Sequence, residues 1–262
     1  MTGAAPALPV VLLLHSSGNS ARQWRGLADA LAGSFDPVPV EFYGHGQRPA
    51  WAEDRRMALV DEAAHVVPLL ERAGGAHVVG HSYGGAVALK LAELHPHLVR
   101  SVVAWEPVLF RLLIDDVGSL QHAKEVVHAA SAMRKRLQDE DAQRSARTFV
   151  EFWSGSGAWE RLSPAAQQSA AARMPSVMRH FDALFNDLFP RERMARLGIP
   201  MLLLSGSRTV PAARRVAHLL RTQLPLAEHA ELPGMGHLGP ITHPPAVNDR
   251  IRHFLNSLAK VR

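Results

Sequence analysis

Cysteine is absent from all 262 residues. That excludes disulfides, thiolate zinc sites, iron–sulfur clusters and a cysteine nucleophile. Aromatics are sparse at 6 %, with two Tyr in the whole chain. There is no long hydrophobic run. The longest nearly apolar stretch, 4–14, is broken by Pro6 and Pro9 and is too short to span a bilayer. It lacks the basic leader and small-residue cleavage site of a signal peptide, so the chain is read as cytoplasmic, with no membrane span. Charge is mixed: 29 basic against 24 acidic residues leave a net +5. The densest basic run, Arg134–Lys135–Arg136, is followed by Asp139–Glu140–Asp141. That pattern is a solvated mixed face, and no nucleic-acid partner is expected. Fifteen His are scattered without an H-E-x-x-H or comparable pair. Neither a metal nor a cofactor is expected.

Apolar residues make up 47 % and charged residues 20 %, an ordinary globular balance. At this length one large domain, or a core domain carrying an insertion, is expected. Short apolar runs at Val10–Leu14, Val38–Phe42, Ala76–Gly80, Leu98–Trp105, Pro200–Ser205 and Ala227–Leu232 read as strands. Ala21–Ala32, Met57–Arg72, Gly84–His95, Ala212–Leu224 and Pro244–Leu258 carry apolar residues at helical spacing. Alternating strands and helices predict an α/β fold with a parallel sheet. Runs such as Val10–Leu14 are continuously apolar, as strands covered on both faces are.

The alternation breaks between Trp105 and Pro200, where no stretch reads as a strand. Residues 107–194 are predicted to form a helical insertion, with 1–106 and 195–262 forming the core. The insertion holds Phe110, Phe149, Phe152, Trp153, Trp159, Phe181, Phe185 and Phe189, half of the chain's sixteen aromatics. Phe181, Phe185 and Phe189 recur every four residues, one stripe of a helix. The stripe fits internal packing of the insertion. It also fits a cap over a pocket at the carboxyl ends of the strands, where open α/β sheets bind ligands; a cap has two faces, so both hold.

The strongest chemical signal is Gly80-His81-Ser82-Tyr83-Gly84, which places G-x-S-x-G after a strand and before a helix. A strand-to-helix turn this sharp strains its central residue and needs glycine where a Cβ would clash. It lifts the Ser82 hydroxyl above the sheet at a helix N-terminus, whose dipole favours developing negative charge.

Three further segments join this one. They are Leu12-Leu-Leu-His15-Ser16-Ser17-Gly18 with Gln23-Trp24, Glu41-Phe42-Tyr43-Gly44-His45-Gly46, and Gly234-Met-Gly-His237-Leu-Gly-Pro240. Together they resemble the α/β-hydrolase superfamily, in particular its capped, serine-nucleophile, single-domain members, over nearly the whole chain. Ser16 stands where that family usually has Gly, and Glu41 where it usually has Asp. The resemblance implies an α/β-hydrolase fold. Family members commonly begin with antiparallel strands, but only nine residues precede the first strand here. Those strands are expected to be shortened or missing, leaving an edge that is exposed, covered by the terminus, or paired with a second copy as a homodimer.

A serine hydroxyl needs a base in hydrogen-bond reach, and the base needs an orienting carboxylate. His237 follows a strand within a Gly-rich loop and comes last in the order Ser…acid…His, so it is the expected base. His15, His45 and His81 lie in motifs that the family reads as turn or packing residues. The family commonly takes its acid from an Asp just past the strand ending here at Ser205. Thr209 occupies that place, and no Asp or Glu occurs from Arg193 to Ala227. Glu106, at the carboxyl end of the strand after the elbow helix, is the expected acid, as in one branch of the superfamily's haloalkane dehalogenases. The resemblance assigns the oxyanion hole to the backbone N–H groups of Tyr83 and Ser17. With Ser16 in the glycine's place, a register shifted by one residue stays open.

Serine rather than Asp as nucleophile implies acyl transfer. The expected activity is cofactor-independent cleavage of a carboxylic ester or related acyl compound through a Ser82–His237–Glu106 triad. A small, mainly apolar acyl molecule is the expected partner. The same triad would serve a C–C bond hydrolase or an acyltransferase. A reading from another class is a receptor that keeps the pocket without the chemistry, which the missing Asp at Thr209 faintly favours.

Overall fold

Six strands form one sheet in the computed structural model, which describes residues 7–52 and 54–259. The strands are β1 (Val10–Leu14), β2 (Asp36–Val40), β3 (Ala76–His81), β4 (Val99–Trp105), β5 (Met201–Gly206) and β6 (Glu228–Leu232). They lie in the order β2-β1-β3-β4-β5-β6, and every pairing among the described residues is parallel. No antiparallel strand precedes β1 there. Whether the terminus covers the edge is a question about residues 1–6, which lie outside the described residues.

Helices α1 (Arg25–Leu31), α2 (Leu59–Arg72) and α3 (Tyr83–Leu94) alternate with the first four strands. Five helices fill the interval between β4 and β5: α4 (Arg111–Asp115), α5 (Leu120–Gln138), α6 (Ala142–Ser154), α7 (Pro164–Asn186) and α8 (Arg191–Ala195). Then α9 (Pro211–Gln223), α10 (Gly239–Thr242) and α11 (Pro244–Ala259) complete the fold. Among the described residues no helix is long and apolar enough to cross a membrane.

The strand alternation divides the core in two. Leu12, Leu14, Val78, Val102, Ala104 and Leu203 point to the side packed by α2, α3, α9 and the inserted helices. Val11, Leu13, Val79, Val103, Leu202 and Leu204 meet Trp24, Leu27, Val247, Ile251 and Phe254 of the opposite side, carried by α1 and α11. Period-two side-chain alternation with both faces covered is what makes β1 read as an unbroken apolar run.

Most elements lie within one or two residues of the sequence expectation, and two departures affect the packing. The second strand was expected at Val38–Phe42 and lies at Asp36–Val40. Its register is fixed by pairing with β1, where Val10 faces Asp36 and Leu14 faces Val40. Pro37 and Pro39 are tolerated because β2 is an edge strand. Phe42 then leaves the sheet and buries fully, edge-on to Tyr83 at 5.2 Å. The helix expected over Ala21–Ala32 is a 3-10 turn at Ala21–Trp24 followed by α1.

Within the insertion, Phe181 and Phe185 pack on each other and on Phe110, with ring centroids 5.7–6.2 Å apart. Phe181 and Phe185 are therefore internal packing, whereas Phe189, expected on the same stripe, lies beyond the end of α7 beneath Lys90. Phe149 and Trp153 of α6 are among the inserted side chains that face the sheet's carboxyl edge.

Candidate active site

Parallel strands all present their carboxyl ends at one edge, and the chemistry-bearing residues gather there. Ser82 follows β3 with φ 56° and ψ −115°, a conformation that L-residues rarely adopt and that costs about 1–3 kcal/mol. The turn exists only because its flanks are bare. A Cβ on Gly80 would lie 2.3 Å from the Gly84 carbonyl oxygen, and one on Gly84 would lie 2.4 Å from that of Leu14.

Glu106 follows β4 and also has a positive φ, 41°. Its own N–H is held by the Leu204 carbonyl at 2.8 Å. The carboxylate is buried and saturated: Oε1 accepts the Gly206 N–H at 2.8 Å, and Oε2 accepts the Thr209 hydroxyl at 2.6 Å. Oε2 also lies 2.7 Å from His237 Nδ1, while His237 Nε2 lies 2.8 Å from Ser82 Oγ. Three side chains separated by 24 and 131 residues thus form one line of hydrogen bonds, each of them 4 % exposed or less.

The loop carrying His237 is pinned twice. Trp105 Nε1 donates to the His237 carbonyl at 2.9 Å, and His81 Nε2 reaches the same oxygen at 2.9 Å. His81 in turn takes the Gln23 amide on Nδ1 at 3.0 Å. Burial, reinforced by the neighbouring His237, pushes the His81 pKa well below its usual value of 6.5, so this ring is neutral and its Nε2–H is the donor. From the insertion, Trp153 stacks on the His237 ring, centroids 3.7 Å apart and 19° between planes.

The amides expected at the oxyanion position are arranged as follows. Tyr83 opens α3, so its N–H has no intrahelical acceptor. In the loop after β1, the Ser16 N–H goes to Gln23 Oε1 at 3.1 Å and the Gly18 N–H to His45 Nε2 at 3.1 Å. Among the described residues the Ser17 N–H between them has no acceptor. Ser17, Ser82 and His237 line a cleft of about 310 Å³ whose other walls include Phe149, Trp153 and Leu162.

Sequence reasoning named Ser82, His237 and Glu106, and the structure brings their side chains within hydrogen-bond distance. It missed Thr209 as a partner of Glu106, having treated that position as a vacancy. It also missed Trp153 over the histidine, and His180, discussed below. Thr209 was signalled only by standing where an Asp was expected. Trp153 was signalled only by its spacing of four from Phe149, and nothing in local spacing marks His180. Among the described residues no group of three or more His, Asp or Glu converges as a metal site.

Comparison with known proteins agrees with this architecture. The chain is 28 % identical over 257 residues to a pimeloyl-(acyl-carrier protein) methyl ester esterase of Yersinia enterocolitica, covering 93 % of this chain and 92 % of that one. It is 36 % identical over 102 residues to an acetyltransferase component of an acetoin-cleaving system of Cupriavidus necator. That match spans 38 % of this chain and 27 % of the relative's length. A crystal structure of a hydrolase from Pseudomonas aeruginosa superposes with a TM-score of 0.76 at 23 % identity, covering 96 % of this chain and 91 % of that one. The model of the alpha/beta hydrolase family matches residues 11–250, and the chain belongs to that family.

Proposed function

We propose that this alpha/beta hydrolase is a serine esterase acting on a small, mainly apolar acyl substrate. The observation that carries the reading is the continuous buried relay from Ser82 Oγ to His237 Nε2 at 2.8 Å and from His237 Nδ1 to Glu106 Oε2 at 2.7 Å. Ser82 Oγ attacks the carbonyl carbon and its proton passes to His237 Nε2. Glu106 keeps the other ring proton on Nδ1 and offsets the imidazolium charge that forms. The carbonyl oxygen becomes an oxyanion, bound by the Tyr83 and Ser17 N–H groups. Collapse breaks the ester C–O bond, and the leaving oxygen takes the proton from His237. Water then attacks the acyl-enzyme by the same steps and releases the acid.

The apolar walls, Phe149, Val150, Leu162 and Ile241 among them, suit a hydrocarbon acyl or alcohol group. Full-length similarity to a methyl ester esterase supports an ester over a C–C bond or acyl-transfer substrate. The test is fluorophosphonate labelling, with burst kinetics on p-nitrophenyl esters of graded chain length. Stoichiometric labelling of Ser82 and a one-equivalent burst are expected. Ser82→Ala should abolish both, with turnover reduced by roughly 10⁶ as in subtilisin. Wild-type turnover in that variant would remove the serine mechanism. An unlabelled, inactive wild-type protein that still binds the ester would make it a receptor.

A further inference from the structure

A second buried polar chain touches the site without belonging to the Ser82 relay. His180 of α7 is fully buried, and its Nδ1 lies 2.8 Å from Ser17 Oγ. Its ring lies flat on Tyr83, with centroids 3.7 Å apart and 3° between planes, and stacks on His45 at 4.7 Å. His180 Nε2 has no hydrogen bond and faces Glu62 Oε1 at 3.8 Å. Glu62 of α2 is also fully buried. Its Oε1 accepts the Tyr43 N–H at 3.1 Å, and its Oε2 has no partner. Buried polar groups left this incompletely satisfied are costly, and this set converges on one hydroxyl in the cleft.

Building on the acyl-transfer reading above, we propose that the Ser17 hydroxyl is a third donor to the developing oxyanion, and that His180 is the positioning residue that aims it. Ser17 lines the cleft with Ser82 and already presents a backbone N–H that has no acceptor among the described residues. For its proton to stay free for the substrate, the hydroxyl must not donate it to His180, and with the ring proton on Nδ1 the histidine is instead the donor to Ser17 Oγ. This tautomer leaves Nε2 as an idle acceptor. The opposite tautomer would leave a buried N–H unpaired, which proteins tolerate less well. Burial holds the His180 pKa well below its usual value, so the ring is neutral.

Glu62 sets the tautomer. Burial pushes its pKa up to about 8, so at neutral pH no anion draws the ring proton to Nε2. Arg48 and the Tyr43 N–H favour its ionisation, while Asp61 on its own helix opposes it. Tyr83 from α3 and His180 from α7 complete its surroundings, and His45 and His15 face His180 in turn. Once Glu62 ionises, a carboxylate beside Nε2 pulls the ring proton there. Nδ1 becomes an acceptor, and the Ser17 proton turns away from the substrate.

The test is steady-state kinetics on an activated ester across pH 6–10. Ser17→Ala should lower kcat about 100-fold, the cost of losing one oxyanion donor. KM should stay within about twofold, because the bond is made only in the transition state. Ser17→Thr, which keeps the hydroxyl, should recover most of the loss. His180→Phe keeps the ring on Tyr83 but lacks Nδ1; it should lose about as much, and the double variant no more than either. The wild type should lose kcat above pH 8, a limb absent from Ser17→Ala and from Glu62→Gln. Unchanged kcat in Ser17→Ala, additive losses, or an alkaline limb that survives in Ser17→Ala would each overturn the proposal. A wild type that fluorophosphonate fails to label would instead overturn the acyl-transfer reading beneath it.

Discussion

Thr209 bears on the acid more than its neutral side chain suggests. Its hydroxyl and the Gly206 N–H hold the Glu106 carboxylate in one orientation, with Oε2 turned to His237 Nδ1. In the proposed mechanism Glu106→Gln keeps the shape but presents a donor to His237 Nδ1. Turnover should fall roughly 10⁴-fold, the precedent for the equivalent change in a serine protease triad. Thr209→Val removes one bond to a charged group, worth about 1.5 kcal/mol, and should cost about tenfold in kcat. Circular dichroism should be unchanged in both. A Glu106→Gln enzyme with near wild-type turnover would dismiss the acid. Glu106 was legible because the motif order demanded a carboxylate and the usual position lacked one. Thr209's part was not, because a hydroxyl's partner depends on a distance across two strands that no local pattern encodes.

Strands and core helices were readable because burial imposes a period on them; β2 slipped by two residues because its ladder with β1 sets its ends, not its composition. The insertion was readable as helical but not in its facing. Phe181 and Phe185 repeat visibly and pack inward on Phe110, whereas Phe149 and Trp153, at the same spacing on α6, face the cleft, where Trp153 covers the histidine. How the insertion is tied down was equally hidden. Lys90 of α3 is buried, with Nζ 2.6 Å from Glu93 Oε2, 2.5 Å from Asp187 Oδ1 and 3.0 Å from the Leu188 carbonyl, above the Phe189 ring. It joins the end of α7 to the elbow helix. Removing one partner of a buried ion pair typically costs 3–5 kcal/mol because the others stay behind uncompensated. Lys90→Ala should therefore destabilise by about 3 kcal/mol in urea titration. A loss near that of an exposed pair, below about 1 kcal/mol, would show that the cluster does not latch the insertion.

Burying several titratable groups beside one cleft makes the stability of the fold depend on pH from both sides. His45 falls from its ordinary 6.5 to about 4, chiefly by burial and then by the nearby His15, and His81 and His180 are pushed the same way. The unfolded chain binds protons that these folded rings refuse. Stability is therefore lost as pH falls below 6.5, by about 1.4 kcal/mol per unit for each ring. Glu62 acts in the opposite sense. Its carboxyl rises from 4.5 to about 8, so the folded state keeps a proton that the unfolded chain has released. That contribution is lost as pH rises through the interval. Between 4.5 and 6.5 the three rings outweigh the Glu62 carboxyl, and above 6.5 Glu62 is the one of these four still opposed to rising pH. Stability should peak near pH 6.5 and decline towards pH 8. Thermal melts of the wild type and Glu62→Gln across pH 5–9 measure this directly. The variant should keep the acid limb and lose the alkaline one. If the alkaline decline persists in Glu62→Gln, Glu62 is not the group that titrates. If it vanishes, the pH at which wild-type stability stops falling should match the midpoint of the kcat limb assigned to Ser17, because one ionisation would then underlie both.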